Sequence, residues 1–354
     1  MDKEMKEEMQ GKIPKEVKVR KKGKKGIFGK IMGCILILLL VLLLSDICIT
    51  EIYARKIPHR FATADEGKNL LLTENDYYGS FTQNDIEYRM TRSGATLDEL
   101  LEVSAHEVKD FTIIDKYLID RQLAKMARKI KKNGYDLPSV DEVVYIKTDM
   151  TVENGICRGA TGYTHGTNIY LNSVSILTSA IPEAGDYFES LMWHEYYHCL
   201  SRNNPEFRKE MYSLINFTVA DEDFELPPSV QAMYVSNPDV EHHDSYATFN
   251  IGGKDIDCYT ATVKLKKFAD AQSEEDAETV PVLVPIDGTD TYYIMEKESN
   301  YQDVFGKNTD YVDDPEECMA KNFSFAMQYG IEGKGGEGYP NPEIIQGVID
   351  IVSK

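Results

Sequence analysis

The stretch Leu191 to Ser201 reads L-M-W-H-E-Y-Y-H-C-L-S and sets His194, Glu195 and His198 in the spacing H-E-x-x-H. On an α-helix, residues four apart lie one above the other on one face, so both imidazoles can reach a single ion. Glu195 stands about 100° further round the helix, where its carboxylate can address a water on that ion rather than the ion itself. The neighbours Leu191, Met192, Trp193, Tyr196, Tyr197, Cys199 and Leu200 are uncharged, which predicts a helix buried on nearly every side. Two imidazoles and a carboxylate are costly in such a place unless something pairs them, and a metal ion does so. The spacing therefore predicts a zinc centre with Glu195 as general base. A surface helix with two unrelated histidines is the competing reading.

A second feature decides where the chain sits. From Ile31 to Ile49 the apolar run is interrupted only by Gly33, Ser45 and Asp46, and about 19 such residues span a bilayer. Residues 1–30 hold 11 Lys/Arg against 5 Asp/Glu and show no apolar period, as expected of a disordered cytoplasmic tail. A cleaved signal peptide competes, but the long basic lead and the lack of a small-x-small site favour an uncleaved anchor over residues 31–50. The body beyond it is expected outside the cytoplasm. With a net charge of −20 overall, that body repels phosphate, which argues against nucleic acid as a partner. Charge alone also favours cationic or neutral peptides over acidic ones. Six cysteines without a C-x-x-C pair make no disulfide framework.

Along the chain, residues 51–110 read as a juxtamembrane stalk or small subdomain, with a short strand at 86–90. Thr96 and Glu99 form a capping-box signal for a helix from Leu97. A longer helix is expected over 115–133, stopped by Gly134. Strands follow at 143–147 and within 155–171, with His165 in a turn. Pro182 opens the motif helix and Pro205 a further one. Residues 218–300 form a long insertion with strand signals at 246–251, 259–265 and 280–285. The adjacent His242 and His243 read as a solvated loop. Strand and helix signals together predict an α+β domain over 111–354.

A catalytic zinc usually takes three protein ligands and a water. The best source of the third is D-D-P-E-E-C-M-A-K-N-F, residues 313–323. Pro315 suits a first helical turn, the acids suit a helix N-terminus, and Ala320 permits close packing. Glu316 and Glu317 either supply the ligand or merely complement the helix dipole.

The strand ending N-I-Y-L, the H-E-x-x-H helix and the later P-E-E-x-x-A-x-N-F segment together resemble the gluzincin metallopeptidases. The later segment is similar to the E-x-x-A-x-x-F helix of the anthrax lethal-factor-like branch. The resemblance implies a zincin-like fold and an endopeptidase using one Zn2+. It makes His194, His198 and Glu317 the metal ligands and Glu195 the general base. It also makes Tyr311 the oxyanion donor, with Tyr301 as a weaker alternative. Residues 167–171, with Asn168, Ile169 and Tyr170, become the edge strand that pairs with an extended peptide. Lys321 departs from the thermolysin-like branch, which has Asp at that place. A non-catalytic zincin-like module for binding or sensing at the cell surface remains the alternative, and beyond it a tethered interaction module with an accidental motif.

Overall fold

The computed structural model describes residues 23–73, 75–156, 159–273 and 277–354. Most of the basic tail, Cys157 and part of the acidic loop at 273–278 lie outside the described residues. The first helix, Gly23–Ala54, starts inside the stretch expected to be a disordered tail. Once the aliphatic block has formed a helix, propagation into lysine-rich flanks costs little. Its segment Gly29–Ala54 has a mean hydropathy of 2.8 and is long and apolar enough to cross a membrane. The chain divides into Met1–Cys48 and a compact body, Ile49–Lys354.

The body is mixed α and β. Its first sheet contains β1 (His59–Phe61), β2 (Val143–Thr148), β3 (Gly162–His165) and β4 (Asn168–Asn172) in the order β1-β2-β4-β3. The first three neighbours run parallel, whereas β3 turns back antiparallel on β4. Successive strand residues face opposite sides. Val143, Tyr145, Ile169 and Leu171 therefore join one core with the motif helix, and Val144, Ile146, Tyr163 and Tyr170 join another.

That second core is built from the segment read as a stalk or small subdomain. Leu71, Tyr77, Ile86, Leu100 and Val108 cover the far face of the sheet. Residues 86–90 do not form the expected strand; helix Gln83–Arg89 takes 86–89 and Met90 caps it. The alternation of Ile86, Glu87 and Tyr88 imitates a strand, but Thr82 caps the helix through the Asp85 N–H and Arg89 pairs with Asp85 one turn away at 2.7 Å. Leu97–Glu107, Ile113–Asn133 and Pro182–Asn203 begin and end close to where their capping and proline signals put them.

The insertion folds as a second, antiparallel sheet, in the order β5 (Thr218–Val219), β6 (Ser245–Ile251), β7 (Lys254–Lys264), β8 (Thr279–Pro285) and β9 (Tyr293–Ile294). Helix Pro315–Tyr329 then packs along the motif helix, with Ala320 fully buried and Phe323 against Trp193 and Tyr197. The described cysteines of the body, Cys199, Cys258 and Cys318, are free and buried.

Candidate metal centre

Residues Phe188 to Ser201 of the motif helix are all buried. They bring His194, Glu195 and His198 to the face that meets the later helix, with exposures of 7%, 1% and 0%. Glu317 arrives from that helix, itself fully buried. Its Oε2 lies 3.0 Å from His194 Nε2 and 3.8 Å from His198 Nε2. Asn237 Nδ2 and the Tyr311 hydroxyl both donate to its other oxygen, at 2.7 and 2.8 Å. One ligand atom from each of His194, His198 and Glu317 falls within 4.8 Å of the others. These three, expected together, are brought together.

His198 is held from behind. Its Nδ1 lies 2.9 Å from Glu316 Oε1, and Glu316 also accepts from Ser201 and from Tyr212. A proton on Nδ1 leaves Nε2 with a lone pair aimed at Glu317. Nε2 is buried and has no hydrogen-bond partner. Such an atom is costly to leave unpaired. Two imidazoles and one carboxylate, with one nitrogen waiting for a partner, are a donor set that fits zinc. A second group, Glu195, His198 and Asp239, could also hold an ion, but it shares His198 and takes up the residue that the spacing gives to proton transfer.

The electrostatics follow from burial and proximity. Burial alone would lower the His194 pKa, but the hydrogen bond and charge of Glu317 outweigh it and raise it. Burial alone would raise Glu317, but the same bond to His194 pulls it down to about 2. The Glu195 carboxyl is raised, chiefly by burial, although the two histidines oppose the shift. Burial and the Glu195 and Glu317 charges push Asp239 well above the usual carboxylate range.

Glu195 is positioned by β3. Its Oε2 accepts from the Thr164 hydroxyl at 2.8 Å, and a Cβ on Gly162 would stand 3.0 Å from its Oε1. A glycine there lets the carboxylate approach the strand. The outer strand is therefore β3. The expected edge strand is corrected: β4 pairs with β2 on one side and β3 on the other, and Ile169 and Tyr170 are fully buried. Asn168, Ile169 and Tyr170 thus have no free edge to offer a peptide. The antiparallel return of β3 covers it.

Tyr311 stacks beside His194 with ring centroids 6.0 Å apart. Tyr301 lies elsewhere, in helix Tyr301–Phe305, where its hydroxyl accepts from Gln302. His165, His242 and His243 line a separate cavity with Tyr234.

Asn237 and Asp239 escaped the sequence reading. They come from an irregular segment of the insertion, and nothing in the local pattern N-P-D marks them. Asp239 accepts from the Thr164 N–H at 2.6 Å. Next to Asn237, Ser236 is gripped from the N-terminal helices. Its N–H donates to Asp85 and its carbonyl accepts from Arg89, whose guanidinium also pairs with Glu153.

The centre opens into a cleft of about 240 Å3 lined by Gly162, Tyr187, Glu195, Asp239, Tyr311 and Lys321, among others. Set against family models, curated proteins and solved structures, the chain gives no match.

Proposed function

We propose that this chain is a membrane-anchored, extracytoplasmic, zinc-dependent endopeptidase with a zincin-like catalytic domain. The convergence of His194, His198 and Glu317 around the unpaired Nε2 of His198, with Glu195 alongside, carries this reading. Those three residues would hold one Zn2+, which when bound supplies Lewis acidity toward water and the substrate carbonyl.

The remaining work falls to the chain's own groups. Glu195, fixed by the Thr164 hydroxyl, takes a proton from the attacking water and passes it to the leaving amine. The Tyr311 hydroxyl, beside His194 and donating to Glu317 Oε1 in the resting site, turns in the reaction to donate instead to the oxygen on which charge develops. Glu316 keeps His198 in the tautomer that presents Nε2. The apolar helix at Gly29–Ala54 and the basic residues before it support an anchor with the N-terminus in the cytoplasm.

The test uses full-length protein in detergent, assayed for zinc by elemental analysis and for hydrolysis of a denatured protein with and without chelator. Glu195→Gln should retain zinc and lose about 10²–10⁴-fold in turnover. Chelator-insensitive or undiminished cleavage by this variant would sink the proposal. Zinc without any hydrolysis would leave the binding or sensing reading.

A further inference from the structure

Lys321 stands one helical turn beyond Glu317, where it borders two cavities. One is the cleft of the metal centre; the other, lined by Phe325, Tyr329 and Lys334, shares Tyr187, Ser190 and Lys321 with it. Among the described residues lining the cleft, Lys321 is the one Lys or Arg, and Glu153, Glu195 and Asp239 line the same cleft.

Its ammonium feels the charge of Glu317 but is not neutralised by direct contact. The Lys321 ammonium has a long hydrogen bond to Ser190 Oγ at 3.4 Å and lies 5.1 Å from the centre of the Phe325 ring. Among the described residues it forms no ion pair. Lys334, which lines the second cavity with it, is treated differently and pairs with Asp186 at 2.6 Å. The chain carries 59 Asp/Glu against 39 Lys/Arg, so acidic partners are plentiful, and this partly buried ammonium still lacks one. Burial pushes its pKa down, the mark of a cation stripped of water faster than it is paid back in charge.

The edge of β3 beyond Gly162 and Tyr163 is already occupied. The Thr164 N–H is taken by Asp239 and its carbonyl by Arg202, while the Gly166 N–H goes to Glu241. The outer edge of β3 is thus occupied from Thr164 onward. Beyond the remaining edge at Gly162, the Thr161 hydroxyl meets the Tyr187 hydroxyl at 2.9 Å, and Tyr187 lines both cavities with Lys321.

We propose that Lys321 receives a carboxylate of the bound peptide, so that the cleft selects substrates with an acidic group on the Tyr187 side of the cut bond. This rests on the peptidase reading above and reverses the preference expected from net charge. The carboxylate comes from an Asp or Glu side chain or from the peptide's own C-terminus, which offer the ammonium the same oxygens.

The test uses full-length, zinc-loaded protein and peptides identical except for Glu or Gln at each position and a free or amidated C-terminus. Wild type should favour the acidic member of one pair by about ten-fold in kcat/KM. A response in the Glu/Gln arm identifies the side chain, and one in the free/amidated arm identifies the terminus. Lys321→Met should bring the ratio close to one, and Lys321→Glu should turn it toward lysine-bearing peptides. Lys321→Gln replaces the methionine variant if the latter does not fold. A ratio that survives these substitutions, including an equal fall for every peptide, overturns the assignment.

The same peptides are titrated by fluorescence anisotropy against zinc-loaded Glu195→Gln protein, with and without Lys321→Met. Carboxylate-dependent binding lost with Lys321, but no hydrolysis by wild type, would sink the peptidase reading and keep the site. Hydrolysis without any carboxylate preference would do the reverse.

Discussion

Glu316 and Glu317 are neighbours on one helix and are nearly equally buried, yet they face different surroundings. The Glu316 carboxylate hydrogen-bonds buried groups of the chain: His198 Nδ1, Ser201 and Tyr212. Burial alone would raise its pKa, but the hydrogen bond and charge of His198 hold it below the usual carboxylate range. Glu317 gives one oxygen to Asn237 and Tyr311 and turns the other toward both histidines. In the proposed centre, a turn of about 100° between successive helical residues separates the group that would orient a ligand from the group that would be one.

The sharpest way to break this comparison is a pair of substitutions. Glu317→Gln should abolish zinc retention and turnover together. Glu316→Gln should keep zinc with about 10–100-fold weaker affinity. Titration against a competing chelator measures both, and equal loss in the two variants would erase the distinction.

Tyr311→Phe is next in size. It removes a donor to Glu317 Oε1 and, in the proposed reaction, to the oxyanion. Turnover should fall about 10²-fold with KM little changed. Zinc content should hold; a tyrosine needed only for structure would instead lower the thermal midpoint and spare kcat.

The smallest effect concerns the cap of the same helix. Asp314 Oδ1 accepts from the Glu316 N–H and Oδ2 from Thr260, and burial raises this carboxyl to about 7. Between about pH 4 and that value the folded chain keeps a proton that the unfolded chain has released. The stability contributed by this group is therefore present at low pH and falls as pH rises through the window. Asp314→Asn should flatten that slope in thermal midpoints of the metal-free protein measured between pH 4.5 and 7.5. An unchanged slope would mean the carboxyl titrates in its ordinary range.

Local chemistry made much of this legible in the sequence. Thr96 with Glu99, Pro182, Gly134 and Pro315 mark helix ends through bonds made within a few residues, and those helices lie close to where they were expected. The H-E-x-x-H spacing is local too, but the approach of Glu317 to His194 that joins it to the P-E-E segment spans 123 residues. The misreadings have separate causes, two of them local and one resting on partners far along the chain. Residues 86–90 alternate like a strand, yet the burial of Arg89 between Asp85 and Glu153 suits a helix. Residues 167–171 read as an edge until β3 folds back and covers them. Asn237 and Asp239 have no periodic signal at all, because their partners Glu317 and Thr164 lie about 80 residues away in either direction.

The grip of Asp85 and Arg89 on Ser236 bears on how short a working fragment can be. Residue 237 touches Glu317 from the far side of that anchor. A fragment starting at the first core helix, Ile113–Asn133, would keep every histidine and glutamate of the centre. It would still lose the anchor that steadies one wall of the cleft. The minimal domain extends back past the motifs, into helices whose sequence shows no sign of chemistry.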